Sequence, residues 1–120
     1  MSDLRITACR IFVPDVSGAL PFYRDILDLP VRAVASDEGF AVLDAGIMLI
    51  LEPVGDNHAL AGRFTGVSFE VADMGAAYQQ LRGKGVTFTG APHTEDWGGT
   101  LAHFTDPAGN TLTLVEYPKP

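Results

Sequence analysis

The sequence predicts an α+β fold in which two β-α-β-β-β repeats build a bowl-shaped mixed sheet, and three observations carry that prediction. First, a strand, an aspartate and a helix occur twice: "IFVPDVSGALPFY" returns as "SFEVADMGAAYQQL", so that Val13, Asp15, Val16 and Ala19 recur as Val71, Asp73, Met74 and Ala77 at constant spacing. Second, each helix is followed by three short apolar or alternating runs separated by turn residues. Third, neither copy has enough helix to cover both faces of its own sheet. Pairing the copies is expected to cover one face with helices and leave the other concave, where a ligand would sit.

The elements follow in chain order. In the first copy Asp15 or Ser17 caps a helix carrying Leu20, Tyr23 and Leu27 on one face, with Pro21 tolerated near the first turn and Pro30 beyond its end. The runs "VRAVA", "FAVLDA" and "IMLILEP" then read as strands, with "SDEG" and "DAG" as turns. The loop "VGDNHALAGR", which carries an exposed His58, joins the copies. In the second copy Asp73 caps a helix whose Met74, Ala77, Tyr78 and Leu81 fall at helical spacing, and Gly83 and Gly85 end it. The strands "VTFTG", "TLAHFT" and "TLTLVEY" follow, with "TEDWGG" and "DPAGN" between them. In "DPAGN", Asp106 can accept hydrogen bonds from the backbone ahead of it, Pro107 presets the second position and Gly109 supplies a left-handed conformation. One domain is expected, with units at about residues 1–55 and 63–118.

Composition bounds the function. A chain of 120 residues, 47% apolar and 19% charged, is large enough to bury about two thirds of its unfolded surface without a disulfide or a structural metal. The net charge of -7 and the lack of a Lys/Arg cluster argue against nucleic acid and against an anionic membrane as partner. The longest apolar run, "AGIMLIL", falls far short of the roughly 20 residues that span a bilayer. The charged start "MSDLRITACR" is unlike a signal peptide, and the single Cys9 has no disulfide partner, so a soluble cytoplasmic protein is expected.

The paired units, "FVPDVSGALPFYRDILDLPV", "LILEPVGD" and "WGGTLAHFTDPAGNTLTLVEYP" resemble the vicinal oxygen chelate superfamily over nearly the whole chain. That superfamily includes glyoxalase I, extradiol dioxygenases, fosfomycin resistance enzymes, methylmalonyl-CoA epimerase and the metal-free bleomycin resistance proteins. The resemblance implies four inward ligands in the metal-dependent members, one from the first and one from the last strand of each unit, where His, Gln or Glu stand. Carried over by register, those positions are Ala8, Leu49, Val67 and Thr113. Three apolar side chains and a hydroxyl cannot hold a divalent cation, so no metal and no cofactor are expected. Glu52, Glu116, Cys9 and Ser68 stand at odd spacing from these positions and are expected on the opposite sheet faces.

Other candidates keep two readings each. His93, Glu95 and His103 form either a relocated metal or acid–base site, or a polar loop followed by a strand histidine. Trp97, the only Trp, either stacks on a planar or cationic ligand or packs its own "DWGG" turn or a dimer contact. Arg10 and Phe12 share the face of Ala8, where Arg10 is an anion anchor or part of a salt bridge with Glu70 or another acid across a subunit contact. Phe40, Leu49, Leu51, Thr113, Val115 and Tyr117 are candidate cavity lining, or strand core. Cys9 is expected on the helix side as a small buried hydrophobe rather than a nucleophile. No catalytic residue is assigned, because three dispersed histidines make no nucleophilic arrangement.

The expected function is therefore metal-independent binding of a small apolar or cationic molecule, of the sequestering kind that the bleomycin resistance resemblance implies. The ligand-facing set is Arg10, Phe12, Phe40, Leu49, Leu51, Trp97, His103, Thr113, Val115 and Tyr117. The competing expectation is a metal-dependent lyase, isomerase or dioxygenase with a relocated site, and a third is a regulatory subunit whose bowl is filled by its own side chains. A homodimer is expected from the resemblance and from apolar surface that a partner could cover.

Overall fold

A computed structural model describes residues 3–35 and 39–120, which divide between Ala61 and Gly62 into two compact units. The expected "SDEG" turn rests largely on residues 36–38, outside the described residues.

Unit 1 runs β1 (Ala8–Val13), α1 (Val16–Pro21), a π-helical turn (Phe22–Ile26), β2 (Val31–Val34), β3 (Ala41–Asp44) and β4 (Met48–Pro53). The sheet order is β1-β4-β3-β2, with β1 parallel to β4 and the other pairs antiparallel. The helix differs from the expected continuous stripe. Pro21 stands well past the first turn, and its missing N–H cannot donate to the carbonyl one turn back. The chain widens there into a π turn, closed by the Leu27 N–H donating to the Phe22 carbonyl at 3.0 Å. Asp15 holds the N-cap backbone position without capping; its carboxylate accepts from the Ser17 hydroxyl at 2.9 Å.

The core of unit 1 lies on one face of its sheet. Ile11, Val13, Ala41, Leu43, Leu49 and Leu51 are all buried there, with Val16, Ala19, Leu20, Phe22 and Tyr23 of the helical segment. The opposite, open face presents Arg10, Phe12, Val42, Asp44, Met48, Ile50 and Glu52.

Unit 2 opens on β5 (Phe64–Glu70), followed by α2 (Met74–Gly83), β6 (Thr87–Phe88), β7 (His93–Thr94), β8 (Thr100–Thr105) and β9 (Thr111–Glu116). The order is β5-β9-β8-β6, with the short β7 also pairing β8. A 3-10 turn over His58–Leu60 lies in the joining loop, and His58 is exposed. Helix α2 begins as expected: the Asp73 carboxylate accepts from the Ala76 N–H at 3.1 Å. A second carboxylate, Glu116 of β9, accepts from the Met74 N–H at 2.7 Å, so the last strand also caps the helix. Tyr78, Phe88 and Phe104 stack in sequence, with centroids 4.6 and 5.7 Å apart, and identify the face of Phe104, Leu112 and Leu114 as the one beneath α2.

The "DPAGN" turn is built as its residues require. One Asp106 carboxylate oxygen accepts from the N–H groups of Ala108 and Asn110, and Gly109 has φ of 82°. The fully buried Asn110 in turn accepts from the Gly62 N–H at 2.8 Å, tying the turn to the entry of β5.

Candidate functional site

Backbone pairing fixes which side chains each open face carries. In unit 1, Arg10 is the partner of Ile50 and Cys9 the partner of Leu49 in parallel strands, and such partners point to the same side. Leu49 and Leu51 therefore belong to the buried face with Ile11 and are fully enclosed, which corrects their expected place as cavity lining. The last-strand position facing outward with Ala8 and Arg10 is Ile50. Glu52 shares that open face and lies 3.9 Å from Arg10, so an acid of the neighbouring strand stands against the arginine.

In unit 2 the expected Val67 is also displaced by one. Gly66 stands to Val71 as Ala8 stands to Val13, and the burial of β5 alternates with Gly66, Ser68 and Glu70 on the open side and Val67 and Phe69 on the helix side. Gly66 has φ of 75° inside the strand, where the pairing of β5 with β9 shifts register between Phe64 and Ser68. Thr65 stabilises this bulge, its hydroxyl donating to the Thr111 carbonyl at 2.8 Å and accepting from the Val67 N–H. The positions are thus Ala8 and Ile50 in unit 1, and Gly66 and Thr113 in unit 2. Neither pair suits a metal: two apolar side chains in the one, and a hydrogen and a hydroxyl in the other, offer no imidazole, thiolate or carboxylate.

The open face of unit 2 holds Leu101, His103, Thr105, Thr111, Thr113 and Val115 together with Ser68 and Glu70. Thr113 and Val115 are buried, and His103 is half-buried. Nδ1 of His103 lies 2.8 Å from Oγ1 of Thr113, its partner across β8 and β9. The ring of Phe64 meets the imidazole edge-to-face at 5.6 Å. Glu116 is on the helix face, as its spacing from Thr113 requires.

His93 is not in a loop but in β7, paired with Leu101 of β8, and its Nε2 lies 3.5 Å from a Glu95 carboxylate oxygen. These two and His103 are not brought together as ligands: among the described residues no group of three or more His, Cys, Asp or Glu is placed to hold a metal ion.

Trp97 folds back over its own turn, where a Cβ on Gly99 would stand 2.0 Å from the indole ring, and it leans on Tyr117 at 6.1 Å. Both aromatics remain about half exposed. Phe40 precedes β3 and is also partly exposed. Cys9 is half-buried and burial raises its thiol pKa, which keeps it protonated and a poor nucleophile at neutral pH.

One feature of unit 1 had no sequence signal. A cavity of about 370 Å³ lies at the β3–β4 hairpin, between Ile6 and Thr7 ahead of β1 and Ile47 and Met48. Arg32 and Asp44 line its polar end as an ion pair. That arginine, with the Gly46 N–H, holds the Asp44 carboxyl below the usual carboxylate range.

Residues 5–114 match the family model described as the Glyoxalase/Bleomycin resistance protein/Dioxygenase superfamily. The chain is 28% identical to the uncharacterized protein YraH of Bacillus subtilis over 126 residues, covering 94% of this chain and 98% of YraH. It is 31% identical to the uncharacterized protein YurT of the same organism over 134 residues, covering 94% and 99%. Among solved structures, a member of the same superfamily from Sphaerobacter thermophilus superposes with a TM-score of 0.82 at 29% identity, covering 94% of this chain and 97% of that one.

Proposed function

From the premise that the chain belongs to the glyoxalase/bleomycin resistance protein/dioxygenase superfamily, we propose that it binds a small, largely apolar organic molecule on its open sheet faces without a metal ion. One observation carries this reading: the in-register positions Ala8, Ile50, Gly66 and Thr113 offer no metal donor set. The apolar and aromatic groups on the same open faces, Phe12 in unit 1 and Phe64, Leu101 and Val115 in unit 2, supply contact area for a hydrophobic ligand, and Trp97 with Tyr117 adds an exposed aromatic edge. Arg10 stands against Glu52, so this cation of unit 1's open face is opposed by a carboxylate. Sequestration needs no catalytic group, and antibiotic protection is the form of it that the family name suggests. A homodimer belongs to the same proposal, with exposed Leu4 and Ile6 as apolar surface for a second copy.

The test is a titration of the uniformly ¹⁵N-labelled chain with small aromatic compounds in the presence of EDTA. The reading predicts saturable amide shifts at open-face residues, unaffected by the chelator. Binding that EDTA abolishes, or shifts confined to residues away from both open faces, would contradict it.

A further inference from the structure

We infer that His103 is the hydrogen-bond donor of this site, that Thr113 sets its tautomer, and that the ligand therefore carries an uncharged carbonyl oxygen. The inference rests on the binding reading above and adds the chemical class of the ligand.

The buried hydroxyl comes first. Thr113 is 3% exposed, and a hydroxyl so enclosed must give its hydrogen to an acceptor or lose the free energy of an unmade bond. Among the described residues its recorded partner is Nδ1 of His103 at 2.8 Å. If Nδ1 carried the proton, the threonine oxygen would accept that bond and its own hydrogen would have nowhere to go. With the threonine donating, Nδ1 is the acceptor, and in neutral imidazole the hydrogen then resides on Nε2.

The surroundings hold that ring in place. His103 pairs with Thr113 across β8 and β9, two regular strands, and Phe64 fixes the imidazole plane from the side. Rigid strand positions hold a site group more accurately than loops do. Nε2–H has no recorded partner among the described residues, and the same-face strand neighbours of His103 are Leu101 and Thr105 on β8 with Thr111 and Val115 flanking Thr113 on β9. A donor that a bound ligand covers selects for an acceptor, since a ligand lacking one leaves the N–H unpaired.

Charge then decides between acceptors. The chain carries a net charge of -7, and Glu70 stands on the same open face of the sheet, so a carboxylate would approach against like charge. A ketone, amide or ester oxygen attached to an apolar body meets the N–H without that penalty.

The experiment uses the full ¹⁵N-labelled chain and two probes matched in shape, acetophenone and ethylbenzene, with His103 assigned through His103→Phe. Imidazole ¹⁵N shifts are expected to report the neutral Nε2–H tautomer in the parent protein and a mixture in Thr113→Val, which keeps the side-chain shape. Acetophenone is expected to move the Nε2 resonance and to bind about tenfold more tightly than ethylbenzene, a preference that His103→Phe removes while Phe64 keeps an aromatic neighbour. An Nδ1–H tautomer in the parent protein overturns the inference. So does equal binding of the two probes, which would leave metal-free binding standing. Binding of neither probe overturns both readings.

Discussion

Arg10 and Ile50 are partners across the parallel pair of β1 and β4, so Ile50 looks out from the open face while its neighbour Leu49 lies wholly inside the core. The two adjacent apolar residues therefore have separable roles. Leu49→Ala is expected to destabilise the protein by about 2–5 kcal/mol, the range for emptying a packed leucine site. Ile50→Ala should cost about 1 kcal/mol or less and weaken ligand binding instead. Urea denaturation of both variants checks the contrast, and equal losses would mean that the face assignment is wrong.

The start of α2 is satisfied twice, by Asp73 on the Ala76 N–H and by Glu116 on the Met74 N–H. Asp73→Ala is expected to cost about 1 kcal/mol, in line with other N-caps. Glu116→Ala should cost about 1–2 kcal/mol, because its carboxylate both caps and complements the helix dipole. Glu116→Gln should recover part of that loss. Chemical denaturation gives the order, and a Glu116→Ala variant as stable as the parent would refute the strand-to-helix cap.

Asn110 is fully enclosed, accepting from the Gly62 N–H and donating to the Asp106 carboxylate at 3.1 Å. Asn110→Ala leaves buried partners without their bonds and is expected to cost about 2–4 kcal/mol. Amide exchange should then accelerate at Gly62 and along β9 together. Acceleration confined to the turn would show that the asparagine does not couple the turn to β5.

Asp44 contributes to the acid limb of stability, its carboxyl held down by the Arg32 guanidinium and the Gly46 N–H. A depressed folded-state pKa stabilises the protein above the unfolded value near 3.9, and that contribution disappears as pH falls through the folded value. Asp44→Asn should therefore lower the urea midpoint at neutral pH slightly and flatten its fall below about pH 4. An unchanged acid limb in the variant would assign it to other carboxylates.

Much of this molecule was legible from periodicity. The repeat, the Asp73 cap, the end of α2 at Gly83 and the bonding of "DPAGN" all follow from local residue chemistry, which acts over a few residues and is written in the sequence. Strand faces depend on a count that must be right to one residue, and there the reading slipped at Leu49 and Val67. The run "IMLILEP" is apolar on both sides of the strand, so no alternation marks its inward face. For Gly66 the signal was present, since the repeat spacing places it opposite Ala8. The π turn after Pro21 and the bonding of His103 to Thr113 arise from backbone geometry and cross-strand pairing that a linear pattern does not contain.

The central claim is that this member of the superfamily works without a metal. Native mass spectrometry of the untagged protein, after equilibration with nickel, manganese, iron and zinc and removal of the excess, tests it most directly. The account predicts a mass equal to the bare chain in every case. One equivalent of metal retained per chain, and lost in the double variant His93→Ala and His103→Ala, would contradict it and place a relocated metal centre at the histidines of β7 and β8.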